Sequence, residues 1–125
     1  MKITAVLIVQ EIEKSLPFWI DRMGFQKTVE VPEGDRLGFV ILARDGAEVM
    51  MQTIASVRKD EPKFPLDAAQ TKTCGLFIEV QDFAEVKRRL EGYPIVMAER
   101  VTFYGMREIG VTDPNGQTVI FAAKQ

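Results

Sequence analysis

Any chemistry in this 125-residue chain has to be done without histidine, which is absent, and with a single cysteine, Cys74. Histidine is the commonest general base and metal ligand, so both roles pass to carboxylates. A zinc, copper or non-haem iron site would then have to be built almost wholly from oxygen donors, an unusual choice for those metals, whereas an oxygen-only magnesium or manganese site stays open. One cysteine rules out an intramolecular disulfide, and a buried inert thiol is the plain reading of it. The stretch Thr102 to Ala122 concentrates the other candidates. Within it, Phe103-Tyr104-Gly105 sets two aromatics beside a flexible glycine, which suits a core corner or the mouth of a cavity. Asp113-Pro114-Asn115-Gly116 supplies a turn-starting carboxylate, a fixed φ and two residues that tolerate positive φ. Met106–Thr112 should therefore fold back on Gln117–Ala123 as a hairpin.

With 46% hydrophobic and 27% charged residues, the chain is long enough to bury a single-domain core. A formal charge of −2 disfavours a general nucleic-acid binder. The one basic cluster, Arg88-Arg89, reads as a solvated helix face. No apolar run approaches the roughly 20 residues of a membrane span, and Met1-Lys2-Ile3 leads into a strand without a signal-peptide layout, so the expected location is cytoplasmic.

The elements that must position these residues read in order as a repeat. Ile3–Val9 is an apolar, β-branched strand. Ser15 is expected to cap a short helix with Pro17 in its first turn; Leu16, Trp19, Ile20 and Met23 recur at helical spacing until Gly24. Phe25–Val31 is a strand, Pro32-Glu33-Gly34-Asp35 a turn, and Leu37–Ala43 and Glu48–Thr53 are strands joined across Arg44-Asp45-Gly46. Ile54–Thr71 carries charges and two prolines without a period and reads as a connection. The pattern then restarts: Val80-Gln81-Asp82-Phe83 repeats the layout of Val9-Gln10-Glu11-Ile12. Cys74–Val80 is a strand. Asp82 and Glu85 form a capping box, Phe83, Val86 and Leu90 make the buried stripe, and Gly92 ends the helix. Pro94–Ala98, extendable to Phe103, is a strand before the final hairpin. The fold class is α+β, two tandem βαβββ modules, with module one at 1–53, a linker at 54–72 and module two at 73–125.

Two segments carry a family resemblance: Val9-Gln10-Glu11-Ile12-Glu13-Lys14-Ser15-Leu16-Pro17-Phe18-Trp19 through Met23-Gly24-Phe25, and Tyr104-Gly105-Met106-Arg107-Glu108 through Asp113-Pro114-Asn115-Gly116. With the repeat, they make the chain similar to the vicinal oxygen chelate superfamily of glyoxalase I, extradiol dioxygenases and bleomycin-resistance proteins, closest in character to the metal-free bleomycin-resistance-like members. The resemblance implies a curved mixed sheet around a cavity, with helices outside, and a homodimer. It also implies that the family's metal-ligand positions fall on Thr4, Met50 (or Met51), Gly75 and Ile120, which are poor donors for a hard cation. No metal and no cofactor are therefore expected.

If the strands alternate as the resemblance implies, Phe39, Met50, Gln52, Met106, Glu108 and Ile120 face the cavity, with Phe103 and Tyr104 at its rim. Those apolar residues would equally serve as core, and Glu108 as a solvated or dimer-interface carboxylate. The leading functional reading is metal-independent small-molecule binding, of the antibiotic-sequestering bleomycin-resistance type. The ligand would be aromatic or cationic, a positive charge agreeing with the acidic pI of about 5.2. No catalytic residue is assigned. The alternative is a glyoxalase-like or dioxygenase-like enzyme of the same superfamily, a lyase, isomerase or dioxygenase, using a carboxylate such as Glu108 or a metal site elsewhere.

Overall fold

In a computed structural model that describes residues 1–67 and 74–125, each half of the chain builds one four-stranded mixed sheet in which the first strand lies parallel to the last. The expected linker's residues 68–72 and the first residue of the expected second module, 73, lie outside the described residues. Two compact units divide the chain, Met1–Thr71 and Lys72–Gln125.

In the first unit, β1 (Ala5–Val9) leads through a π-helical segment (Pro17–Arg22) to β2 (Gln26–Glu33), β3 (Arg36–Arg44) and β4 (Ala47–Thr53), with sheet order β1-β4-β3-β2. Asp45 and Gly46 both take positive φ, as a two-residue hairpin loop matching the strand twist requires. Ile12, Phe18, Trp19, Met23 and Phe25 are buried, and the Trp19 ring meets Phe18 and Phe25 edge-on at 5.3 and 5.0 Å. Gly24, at φ +78°, ends the helical segment as expected.

Three local features differ from the sequence reading. Leu16, not Ser15, occupies the N-cap, without a side-chain capping bond. Ser15 is buried, and its backbone carbonyl accepts from Trp19 N at 3.1 Å. Pro32 lies inside β2 instead of in the turn, which is tolerated because β2 is an edge strand whose register shifts between Val31 and Pro32. Ile54–Asp60, inside the expected linker, is the helix α1; Thr53 Oγ1 caps it by accepting from Ser56 N at 3.1 Å.

The second unit repeats the plan with β5 (Leu76–Glu79), α2 (Phe83–Arg89), β6 (Met97–Val101), β7 (Met106–Thr112) and β8 (Thr118–Lys124), in the order β5-β8-β7-β6. Asp82 Oδ1 accepts from Glu85 N at 2.9 Å, and α2 buries Phe83, Val86 and Leu90 as it packs against β8. Both hairpin loops of this unit share one design. Gly105 N donates to Thr102 O and Thr102 N to Met106 O; Gly116 N donates to Asp113 O and Asp113 N to Gln117 O. Gly105 and Gly116 sit at φ +80° and +87°, the left-handed residue that such a turn-plus-bulge needs. Each turn starts with a side chain that caps the returning strand: Thr102 Oγ1 accepts from Met106 N, and Asp113 Oδ1 from Gln117 N. The two βαβββ modules read from the sequence are thus both present, each as a four-stranded mixed sheet carrying its helix on one face.

Candidate functional site

Strand pairing sorts every side chain to one of two faces, because directly paired residues and residues two apart share a face. In the first sheet, Leu7, Val9, Val40, Leu42, Val49 and Met51 form the fully buried face. The opposite face holds Phe39, paired with Gln52, and Ile41, paired with Met50. Val6 and Ile8 join it from β1, opposite Met50 and Gln52, and the exposed Val29 and Val31 from β2, opposite Ile41 and Phe39. Met50 and not Met51 therefore shares a face with Phe39 and Gln52. Gln52 is polar, and its Nε2 donates to Ser56 Oγ at 3.1 Å.

In the second sheet, Val111, Val119 and Phe121 are buried on one face. Met106, Glu108 and Gly110 of β7 and Ile120 and Ala122 of β8 line the other, with Phe77 opposite Ile120. The alternation read from the sequence therefore gives Met106, Glu108 and Ile120 a common face. Phe103 and Tyr104 occupy the two central positions of the β6–β7 turn. Phe103 is fully exposed and stacks edge-on against Tyr104 at 5.1 Å.

Glu108 is the chemical centre of this second face, and it is neither solvated nor free. Its carboxylate is 1% exposed. Arg100 Nε and Nη2 both donate to Oε1, at 3.2 and 3.1 Å, and the Tyr104 hydroxyl donates to Oε2 at 2.5 Å. That bond, with burial second, raises the Tyr104 phenol above its ordinary pKa and keeps it a donor past the pH at which a free phenol ionises. A carboxylate so engaged has both oxygens occupied and would have to break an ion pair to act as a general base. Arg100 is a partner that the sequence reading missed. It pairs with Glu108 across a β6–β7 ladder whose register shifts between Met97 and Arg100, and this irregularity hides its face from an alternation argument.

The residues at the positions where the resemblance puts the family's metal do not fit one. Met50 sits between Val6 and Ile41, Ile120 between Phe77 and Gly110, Gly75 has no side chain, and Thr4 offers one alcohol. A thioether and one hydroxyl are a poor set for any divalent cation of the hard or borderline class. Among the described residues, no group of three or more Cys, Asp or Glu could hold a metal ion. Cys74 is exposed and not buried, because it precedes the first residue of β5 and lies outside the pleated ladder. Among the described residues, no helix is long and apolar enough to cross a membrane.

Comparison with known proteins agrees with this architecture. Residues 3–121 match the profile of the Glyoxalase/Bleomycin resistance protein/Dioxygenase superfamily. No curated protein matches. Among solved structures, TioX from Micromonospora sp. ML1 is 19% identical with a TM-score of 0.76, covering 100% of this chain and 99% of its own. A lactoylglutathione lyase from Agrobacterium tumefaciens is 19% identical at 0.73, covering 98% and 92%. TnmS3, an antibiotic binding protein from Streptomyces sp. CB03234, is 18% identical at 0.66, covering 100% and 98%. At such identities the likeness is one of fold, and that fold carries an enzyme and a binder alike.

Proposed function

The chain belongs to the Glyoxalase/Bleomycin resistance protein/Dioxygenase superfamily, and from that premise we propose that it binds a small, flat molecule without a metal and holds it unchanged. At the level of the family, its role is small-molecule binding. One observation carries the finer reading: where the family's enzymes hold their metal, this chain has Met50 on an apolar face with Phe39 and Ile41, and Ile120 beside Phe77. Apolar and thioether groups offer dispersion contact and adapt to an irregular ligand, but they do not polarise a substrate oxygen. The proposed ligand-binding residues are Phe39, Met50, Gln52, Met106 and Ile120, with Phe103 and Tyr104 offering aromatic surface. Glu108 holds other side chains in place. An aromatic ligand suits this lining, whereas a cation would have to compete with Arg100 for a carboxylate that is already buried.

Antibiotic sequestration is the form of this binding we propose in the cell; TnmS3, of the same fold, is an antibiotic binding protein. The assembly we propose is a homodimer, since the edge strand β2 exposes Val29 and Val31, a liability that a second copy would cover. Thermal-shift screening against flat aromatic compounds tests the reading, because a ligand that prefers the folded state raises its stability. Saturable stabilisation, with the compound recovered unaltered, is the expected result. Turnover of the bound compound would move the protein to the enzymes of its superfamily.

A further inference from the structure

The second face carries one exposed polar group whose direction is fixed. Arg100 lends Nε and Nη2 to a single carboxylate oxygen of Glu108, while its side chain remains 55% exposed. Among the described residues, its Nη1 has no acceptor. A guanidinium held in this way has lost much of its rotational freedom to the protein, so a further hydrogen bond to a ligand orders little that is still mobile. The Tyr104 ring stands beside it, tied to the other oxygen of the same carboxylate and half exposed, and Phe103 extends the aromatic surface. The other charges on this face, Glu79 opposite Ala122 and Lys124 opposite Met106, cancel one another, so position and not net charge singles out Arg100.

We propose that Arg100, positioned by Glu108, is a specificity-determining residue that reads an anionic oxygen, a carboxylate, sulfonate or phenolate, on a flat ligand lying against Tyr104 and Phe103. This rests on the binding function proposed above and reverses the ligand charge that the acidic composition suggests. Glu108 is then a positioning residue whose carboxylate never meets the ligand.

Two fluorescent probes with the same aromatic frame test it: anilinonaphthalene sulfonate, which is anionic, and phenylnaphthylamine, which is neutral. The full chain is titrated with each, as wild type, Arg100→Gln and the double variant Arg100→Gln/Glu108→Gln. The double variant avoids leaving a buried carboxylate unpaired, and circular dichroism checks that each protein is folded. Wild type should prefer the sulfonate. Both variants should lose about fivefold or more of that affinity, as expected of a charge-assisted hydrogen bond at a half-exposed site, with phenylnaphthylamine changed by less than about twofold. Equal binding of the two probes by wild type, or an equal change for both in the folded double variant, overturns the role of Arg100 while the binding function stands. Failure of wild type to bind either probe saturably overturns the binding function and this inference with it.

Discussion

The two sheets share a strand order and a parallel first-to-last pairing, yet the faces turned away from their buried layers are chemically unlike. On the first, Val6, Ile8, Phe39, Ile41 and Met50 form an apolar surface in which Gln52 is the polar exception among the central pairs. On the second, Glu108 stands mid-strand with Arg100 and Tyr104 bound to it. A duplicated scaffold thus carries one surface made of apolar contact area and another built on directional bonds. The two faces are altered independently, since each is built within its own sheet.

The largest effect should come from breaking the directional cluster. Glu108→Ala removes a buried carboxylate that both partners use, and should lower stability by roughly 2 to 3 kcal/mol in a urea titration. Gln52→Ala, on the apolar face, should cost less than about 1 kcal/mol. Next come the glycines that let strands approach. A Cβ on Gly110 would meet Met97 Cβ at 2.9 Å, and one on Gly38 would meet Glu33 Cβ at 2.8 Å. Alanine at either site should cost about 1 to 3 kcal/mol, since a Cβ is fixed by its own backbone and cannot swing aside. Phe39→Ala should weaken phenylnaphthylamine binding roughly five- to tenfold through lost contact area, and should weaken the sulfonate probe equally.

The smallest effect is in the pH profile. The folded protein holds the Tyr104 proton to higher pH than the unfolded chain does, so this bond stabilises fully below the ordinary phenol pKa. Its contribution fades as the pH rises through the raised folded value. The chain has two tyrosines, Tyr93 and Tyr104, and Tyr104→Phe should remove a late step from the alkaline absorbance titration. At acid pH the sign is opposite for Glu99, whose carboxyl is held below its usual pKa by hydrogen bonds from Lys87 and Arg107. Its contribution is present above the ordinary carboxyl pKa and lost as the pH falls through the depressed one, so Glu99→Gln should flatten the acid limb slightly.

Local chemistry carried most of the fold legibly. The positive-φ glycines of the turns, the Asp82 cap and the period-two alternation of β3, β4, β7 and β8 are properties of a few adjacent residues, and all could be read from the sequence. Features too short to show a period, or set by partners far along the chain, are not legible in it. The seven residues of α1 are too few to show a period, and their cap, Thr53, is also the last residue of β4. Pro32 reads as a breaker unless β2 is known to lie at an edge. Alternation puts Glu108 on one face with Met106 and Ile120, but its ion pair is with Arg100, whose strand slips register beforehand. A matching pattern is visible in the sequence: Thr102 through Gly105 ends in glycine just as Asp113 through Gly116 does, and it marks Phe103 and Tyr104 as a turn and not the end of a strand.

The central claim is that ligand is held by apolar and aromatic contacts without the family's metal. Its most direct test is to measure the metal content of protein purified without chelator by elemental analysis, and to titrate it with phenylnaphthylamine as purified, after exhaustive dialysis against a chelator, and after adding back divalent zinc, nickel, iron or manganese. Well under one metal per chain and the same saturable affinity throughout are the expected results. Binding that disappears on chelation and returns when one of these ions is restored would contradict it.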